Sequence, residues 1–243
     1  MNSTPEQSAD HNSTQIRYYQ RTNLPRMVPI ASPYLLRHVD EMIRFGRLES
    51  DQRILEVGCG MGRYTLLLAE RGFRIEGLDL IPKLLESLKE SAAGRYDIPL
   101  YCADVASPAP ELLEQFDALL VTFALHHMHD LSKCVSGMAR MLKPGGRMVF
   151  LEPNAFNILY YIQIAVSPGI TWEGDKGVMN MRRGPVFEAM RTAGLTELKL
   201  ERFGFFPPFL TNRRLGQRLE SVLERFPLWR WALPFQLFGG TRG

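Results

Sequence analysis

The densest chemistry in this chain lies in nine residues, ILEVGCGMG at positions 54–62, where Glu56 interrupts an apolar run and glycines follow at 58, 60 and 62. Alternating glycines remove side chains where a backbone must turn tightly and where a ligand must lie against bare peptide. The spacing is G-x-G-x-G, and the position five after the first glycine, where a dinucleotide-binding loop needs glycine or alanine, is Arg63. A carboxylate beside such a loop repels a pyrophosphate and attracts an ammonium or sulfonium group. The loop therefore suits a cationic, phosphate-free ligand. Farther along, HHMHD at 126–130 groups His126, His127 and His129. An imidazole, with a pKa of about 6.5, can take a proton from a hydroxyl, and His127 is the candidate base. Packing and helix capping are the competing roles for these histidines. Their tight spacing around Met128 lacks the i, i+4 geometry of a helical metal site, so no metal is expected.

These residues need a scaffold that brings strand ends together. From residue 53 strands and helices alternate: strands at 54–57, 73–78, 100–103, 116–122 and 147–152, with helices at 64–70, 82–93, 110–114 and 131–142 between them. Such a rhythm predicts an α/β, Rossmann-like, doubly wound and mostly parallel sheet with helices on both faces. Ligands of such sheets bind outside the carboxyl ends of the strands. Upstream, Ser32 and Pro33 are placed to start a helix. KPGG at 143–146 should end the fourth helix and turn the chain into the fifth strand.

Three segments depart from the rhythm. Residues 1–30 are polar and expected to be flexible, with Tyr18 and Tyr19 either docking on the core or forming a lid. Residues 153–181 mix an apolar and a polar part and read as a cap inserted over the strand ends of a domain spanning 31–203. Residues 204–243 read as an aromatic, basic, α-helical extension packed on that domain.

The motifs together resemble the class I S-adenosylmethionine-dependent methyltransferases, particularly the small-molecule and lipid methyltransferases related to the ubiquinone and menaquinone enzymes. ILEVGCGMG, GLDL, CADV, FDALLVTFALHHMHD and LKPGG occur in the order of successive strand ends, covering about residues 50–155. The resemblance implies S-adenosyl-L-methionine as cofactor, with Glu56, Gly58, Cys59 and Gly60 around its amino-acid end. Asp79 would accept the ribose hydroxyls, Asp104 with Val105 would face the adenine, and Leu80 would pack on that ring. Thr122 and Phe123 would line the methionine arm. Tyr18, Tyr19 and Arg63 remain as lid or acceptor contacts.

The acceptor must be read from the cap and extension. Aromatics in EPNAFNILYYIQ and FGFFPPFL could wall an apolar pocket, which favours a small, apolar or lipid-like acceptor with an oxygen nucleophile. Arginines beside Trp229, Trp231 and Phe235 raise contact with an anionic membrane surface, against plain packing with a solvated basic face. A non-catalytic cofactor-binding subunit and a methyltransferase for RNA or protein are the alternatives. Nucleic acid is not expected as a partner, because the formal charge of +3 is small and no basic-aromatic platform stands out. Three scattered cysteines suggest a reducing compartment, and no secretion signal or bilayer-spanning run is seen, so a cytoplasmic protein is expected, in contact with a membrane at most peripherally.

Overall fold

The computed structural model describes residues 13, 14, 16, 29–166 and 172–243. Tyr18 and Tyr19, expected as lid or docking residues, lie outside the described residues. Seven strands form one sheet in the order β3-β2-β1-β4-β5-β7-β6. They are β1 (Arg53–Val57), β2 (Arg74–Asp79), β3 (Leu100–Cys102), β4 (Phe116–Thr122), β5 (Leu142–Pro153), β6 (Leu195–Phe203) and β7 (Phe235–Arg242). The pairs β1–β2, β1–β4, β2–β3 and β4–β5 are parallel, while β7 runs antiparallel to both β5 and β6. The strand order reverses direction at β1–β4, so β1, β2 and β4 end around one crevice, as doubly wound sheets require of a ligand site.

Neighbouring strand residues are buried on opposite faces, as expected of a sheet covered on both sides. On one face Leu55, Val57, Leu119, Val121 and Phe150 pack under α4 (Leu131–Met141) and α7 (Arg183–Thr192). On the other, Ile54, Leu120, Val149 and Leu237 meet α1 (Pro33–Gly46) and α2 (Thr65–Glu70). Ser32 caps α1 by accepting from the Leu35 amide at 3.3 Å, with Pro33 in the first turn. The KPGG segment lies inside β5 as an irregularity: Phe116 pairs with Leu142, and the register then jumps to Ala118 with Arg147. Gly145 takes the turn in the left-handed region at φ 76°. A third helix, α3 (Pro82–Ala92), follows β2, and the insertion carries α5 (Ile158–Val166) and α6 (Trp172–Asp175).

The C-terminal extension differs from the expected helical appendage. Its helices are α8 (Pro208–Thr211) and α9 (Arg214–Leu223), but its last residues are β7, in the interior of the sheet. Leu237 and Phe238 are fully buried, one in each core layer. The following Gly239 and Gly240 admit close neighbours. A Cβ on Gly239 would lie 2.5 Å from the Phe45 ring, and one on Gly240 would lie 2.7 Å from Leu198. A strand needing residues with no side chain at two positions does not show the alternation that identifies strands in a sequence. The helical part is tied down by buried acids. Glu220 accepts from the Phe205 and Phe206 amides at 2.7 and 2.8 Å and pairs with Arg37, which also bonds Glu224 at 2.6 Å.

Candidate active site

Glu56 sits at the end of β1 with its carboxylate wholly buried. Thr65 from α2 donates to it at 2.5 Å, and Thr122 from the end of β4 donates to its other oxygen. Burial pushes the carboxyl up to about 7, against the two threonine bonds, which favour its ionised form. The nearby Asp79 raises it further. This carboxylate has two hydroxyl donors and no cationic partner among its hydrogen bonds.

The loop beyond β1 turns through Gly58, Gly60 and Gly62, with φ of 70°, 54° and 85°. A Cβ on Gly58 would come within 2.5 Å of the Ala124 side chain, so this glycine lets the β1 loop and the β4 loop approach each other. Asp79, at the tip of β2, accepts from the Gly60 amide at 2.8 Å with one oxygen and from the Ile81 amide at 2.9 Å with the other. Those bonds, with a further backbone interaction from Leu80, fix the plane of the carboxylate without using all of its lone pairs. Burial raises its pKa and the backbone bonds oppose the rise. Arg63 follows the loop, and its Nε is buried without a hydrogen bond among the described residues.

Beside this loop an aromatic cluster forms from residues distant in sequence. Phe123 sits at φ 52°, an uncommon conformation for a bulky residue, with its amide bonded to the Leu151 carbonyl at 2.8 Å. Its ring lies 5.6 Å from His38, 6.0 Å from Tyr64 and 5.7 Å from Phe235. His38 is buried and its Nδ1 is 2.8 Å from the Tyr64 hydroxyl. Burial lowers the His38 pKa to about 3, and Arg63 and Arg37 reinforce the shift, so this imidazole is neutral. Sequence reasoning named Thr122 and Phe123 as candidates and missed His38 and Phe235 as their neighbours. Nothing local marks them, since α1 and β7 meet the site only through the tertiary fold.

The histidine motif falls on a 3-10 turn, Leu125–His127, just past β4. Glu152, buried near the end of β5, organises it. One of its oxygens accepts from the Ala124 and Leu125 amides at 3.0 and 2.7 Å, and the other lies 2.5 Å from Nδ1 of His126. His126 Nε2 faces Asp175 of α6 at 3.7 Å, and Tyr160 of α5 donates to that carboxylate at 3.1 Å. Burial lowers the His126 pKa, but Glu152 and Asp175 outweigh it and hold it at about 9. Burial works to raise the pKa of Asp175, and His126 and His127 bring it below the usual carboxylate value.

The candidate residues therefore divide. Glu56, Gly58, Gly60, Asp79 and Thr122 come together at the crevice. The Cys59 side chain is packed among Leu66, Leu85 and Leu88, and both its backbone groups serve the loop: its amide bonds Leu78 and its carbonyl accepts from Gly62. Asp104 follows β3 and caps the next turn by accepting from the Ala106 amide at 2.9 Å, with Val105 buried beside it and Leu80 half-buried. His127 is half-buried, its ring 4.0 Å from that of His126. His129 is exposed, and Asp130 caps α4. Asp175, Tyr160 and Glu152 were missed by sequence reasoning, since Asp175 lies in the polar part of the insertion, where one more acid carries no signal.

The family model described as "Methyltransferase domain" matches residues 55–150. Over 130 residues the chain is 32% identical to an S-adenosyl-L-methionine-dependent Diels-Alderase of Talaromyces variabilis, covering 50% of this chain and 44% of that protein. Over 159 residues it is 28% identical to the ubiquinone biosynthesis O-methyltransferase of Idiomarina loihiensis, covering 63% of this chain and 62% of the relative. The chain thus spans less than two thirds of the length of either relative. Among solved structures, phosphoethanolamine N-methyltransferase 2 of Haemonchus contortus, in complex with phosphomonomethylethanolamine and S-adenosylhomocysteine, aligns with a TM-score of 0.60 at 18% identity. That alignment covers 85% of this chain and 52% of the other and shows a shared fold.

Proposed function

We propose, from the premise that residues 55–150 make this chain a member of the class I methyltransferase family, that it methylates a small, largely apolar or lipid-like acceptor, oxygen being the favoured nucleophile, with S-adenosyl-L-methionine as donor. The observation that carries this reading is Glu56: a wholly buried carboxylate beside a bare glycine loop, held by Thr65 and Thr122 with no cationic hydrogen-bond partner among the described residues. Such a group favours an arriving ammonium, and the orphaned Nε of Arg63 on the same loop suits the carboxylate of an amino-acid moiety. Asp79, already oriented by two backbone amides, has lone pairs left for a pair of ribose hydroxyls. Asp104 and Val105 stand at the next strand end for the base, with Leu80 following Asp79, and Thr122 and Phe123 border the donor arm. The residues present therefore fit the donor.

A sulfonium supplies an already activated methyl group, so the protein's contribution is to align an acceptor and exclude water. The aromatic cluster of Phe123, His38, Tyr64 and Phe235 is the dry wall next to Thr122. A hydroxyl acceptor must lose its proton, and His127, at the end of the β4 turn, is the group proposed to take it.

On the acceptor side, Ile158, Leu159, Trp172, Leu228, Trp229 and Trp231 are exposed, so all three tryptophans of the chain face outward. Asn154 and Asn157 join the insertion to the extension by bonding the Trp231 and Ala232 carbonyls at 2.9 and 2.7 Å. Exposed Arg214, Arg218, Arg225 and Arg230 flank this rim, while Glu220 and Glu224 are engaged by Arg37. Apolar and cationic groups arranged so suit the surface of an anionic membrane, on its cytoplasmic side, from which a lipid-like acceptor would enter. No helix among the described residues is long and apolar enough to cross a membrane.

Calorimetric titration with S-adenosyl-L-methionine and S-adenosylhomocysteine tests the cofactor reading. Micromolar binding by the wild-type chain and its loss in Asp79→Ala are expected; a folded wild-type protein that binds neither compound refutes it. Transfer of labelled methyl to a lipid extract, set against RNA, tests the acceptor. Cofactor binding without methyl transfer to any acceptor would favour a role in which the cofactor is retained unspent.

A further inference from the structure

The cluster at the foot of the insertion lends itself to a second use, in which His127 is a ligand in place of the proton acceptor proposed above. The geometry points to a binding site for a divalent transition-metal ion of the zinc type, with His126, His127 and Asp175 as ligands. One candidate ligand atom from each of the three lies within 4.8 Å of the others.

Glu152 orients His126: it accepts two backbone amides on one oxygen, and its other oxygen lies 2.5 Å from Nδ1 of the ring, which leaves Nε2 facing the insertion. A carboxylate holding the far nitrogen of an imidazole is the arrangement that orients metal-bound histidines. Nε2 of His126 lies 3.7 Å from Asp175 Oδ1 and beside the half-buried His127. Without an ion a proton on Nε2 occupies this gap, and a metal would bind in competition with it. A separation of 3.7 Å is long for a proton shared in a hydrogen bond. It is close to the spacing of about 3.4 Å between two donors held at about 2.1 Å around one tetrahedral ion.

Charge and packing point the same way. Glu152 and Asp175 bring two carboxylates to two imidazoles, and a dication balances them without further partners. Tyr160 donates at 3.1 Å to the same Asp175 Oδ1 that faces His126, which fixes that oxygen and leaves it a second lone pair. Gly177 lets the insertion press on the turn: a Cβ there would stand 1.8 Å from the His126 carbonyl oxygen. Two imidazoles and one carboxylate form a donor set suited to zinc, cobalt or iron rather than to magnesium or calcium. Three protein ligands leave at least one position open, for water or for an oxygen of the acceptor.

The test is metal binding by the full chain without an affinity tag, stripped with chelator, and followed by Co2+ absorption and Zn2+ calorimetry. One equivalent is expected, and Asp175→Asn and His127→Gln should each weaken it at least about tenfold. Both variants retain the Glu152–His126 pair, so they should fold, which circular dichroism checks. S-adenosyl-L-methionine affinity should stay unchanged in both, so this inference and the cofactor reading fail separately. A folded wild-type chain that takes up no stoichiometric metal overturns the inference. Uptake that is equally strong in both variants also overturns it, because the ion would then sit on exposed histidines elsewhere.

Discussion

The two halves of the carboxyl edge of this sheet are built by opposite strategies. Around β1 and β2, polar groups find partners close by in the chain or on adjacent strand ends: Asp79 with Gly60 and Ile81, Glu56 with Thr65 and Thr122. Past β4 and β5, the site is assembled from residues 126, 152, 160 and 175, with the last two contributed by an insertion. The first half can keep one geometry while the second varies, because its bonds do not depend on the insertion. Under the proposed function, that division separates the cofactor's half from the acceptor's.

If this contrast is right, removing a buried anchor should be far more damaging on the acceptor side. Glu152→Ala strands the Ala124 and Leu125 amides and leaves His126 beside Asp175 without its other carboxylate. The expected loss is about 3–5 kcal/mol in urea unfolding. Glu56→Gln should cost less than about 1 kcal/mol, because the Thr65 and Thr122 hydroxyls can rotate to suit an amide. Equal losses in the two variants would break the comparison.

The same division explains what could be read before any coordinates. The loop at 54–62, Asp79 at a strand tip and the alternation of strands and helices are local patterns, so they were legible in the sequence. Ser32 capping α1 was legible for the same reason. β7 was not, because its identity as a strand depends on the gap between β5 and β6 and on Phe45 lying over Gly239. Nor was Asp175: HHMHD taken alone has poor metal-site spacing, and its missing partner lies more than 40 residues away, in the insertion.

The cofactor half can be sharpened by pH. Glu56 has its pKa raised to about 7 by burial, so below that value the protein without ligand carries it protonated. An ammonium ligand selects the ionised form, so binding must release a proton there. Affinity for S-adenosyl-L-methionine should therefore rise about tenfold per pH unit up to about 7 and level off above it. Calorimetry in buffers of different ionisation enthalpy should show about one proton released at pH 6 and almost none at pH 8. A flat profile, or proton uptake, would remove Glu56 as the ammonium partner. In Glu56→Gln the slope should vanish along with most of the affinity.

The smallest expected effect belongs to the outer rim of the acceptor half, where side chains carry little of the fold. Trp231 is 61% exposed, and its replacement by serine removes about 1 kcal/mol of apolar burial available to a membrane, about fivefold in partitioning onto phosphatidylglycerol vesicles. Unfolding free energy and cofactor affinity should not move, because the Asn154 bond is made to the backbone carbonyl of Trp231 and survives the substitution. Rising salt should weaken vesicle binding of wild type and variant alike, since the flanking arginines act through screened charge. The chain's three tryptophans offer a direct reading, because all are exposed and none lies in the cofactor half. Brominated lipid should quench them in anionic vesicles and leave them bright in neutral ones. Unquenched fluorescence in both would mean that the rim meets no bilayer, and the acceptor would then have to arrive through water.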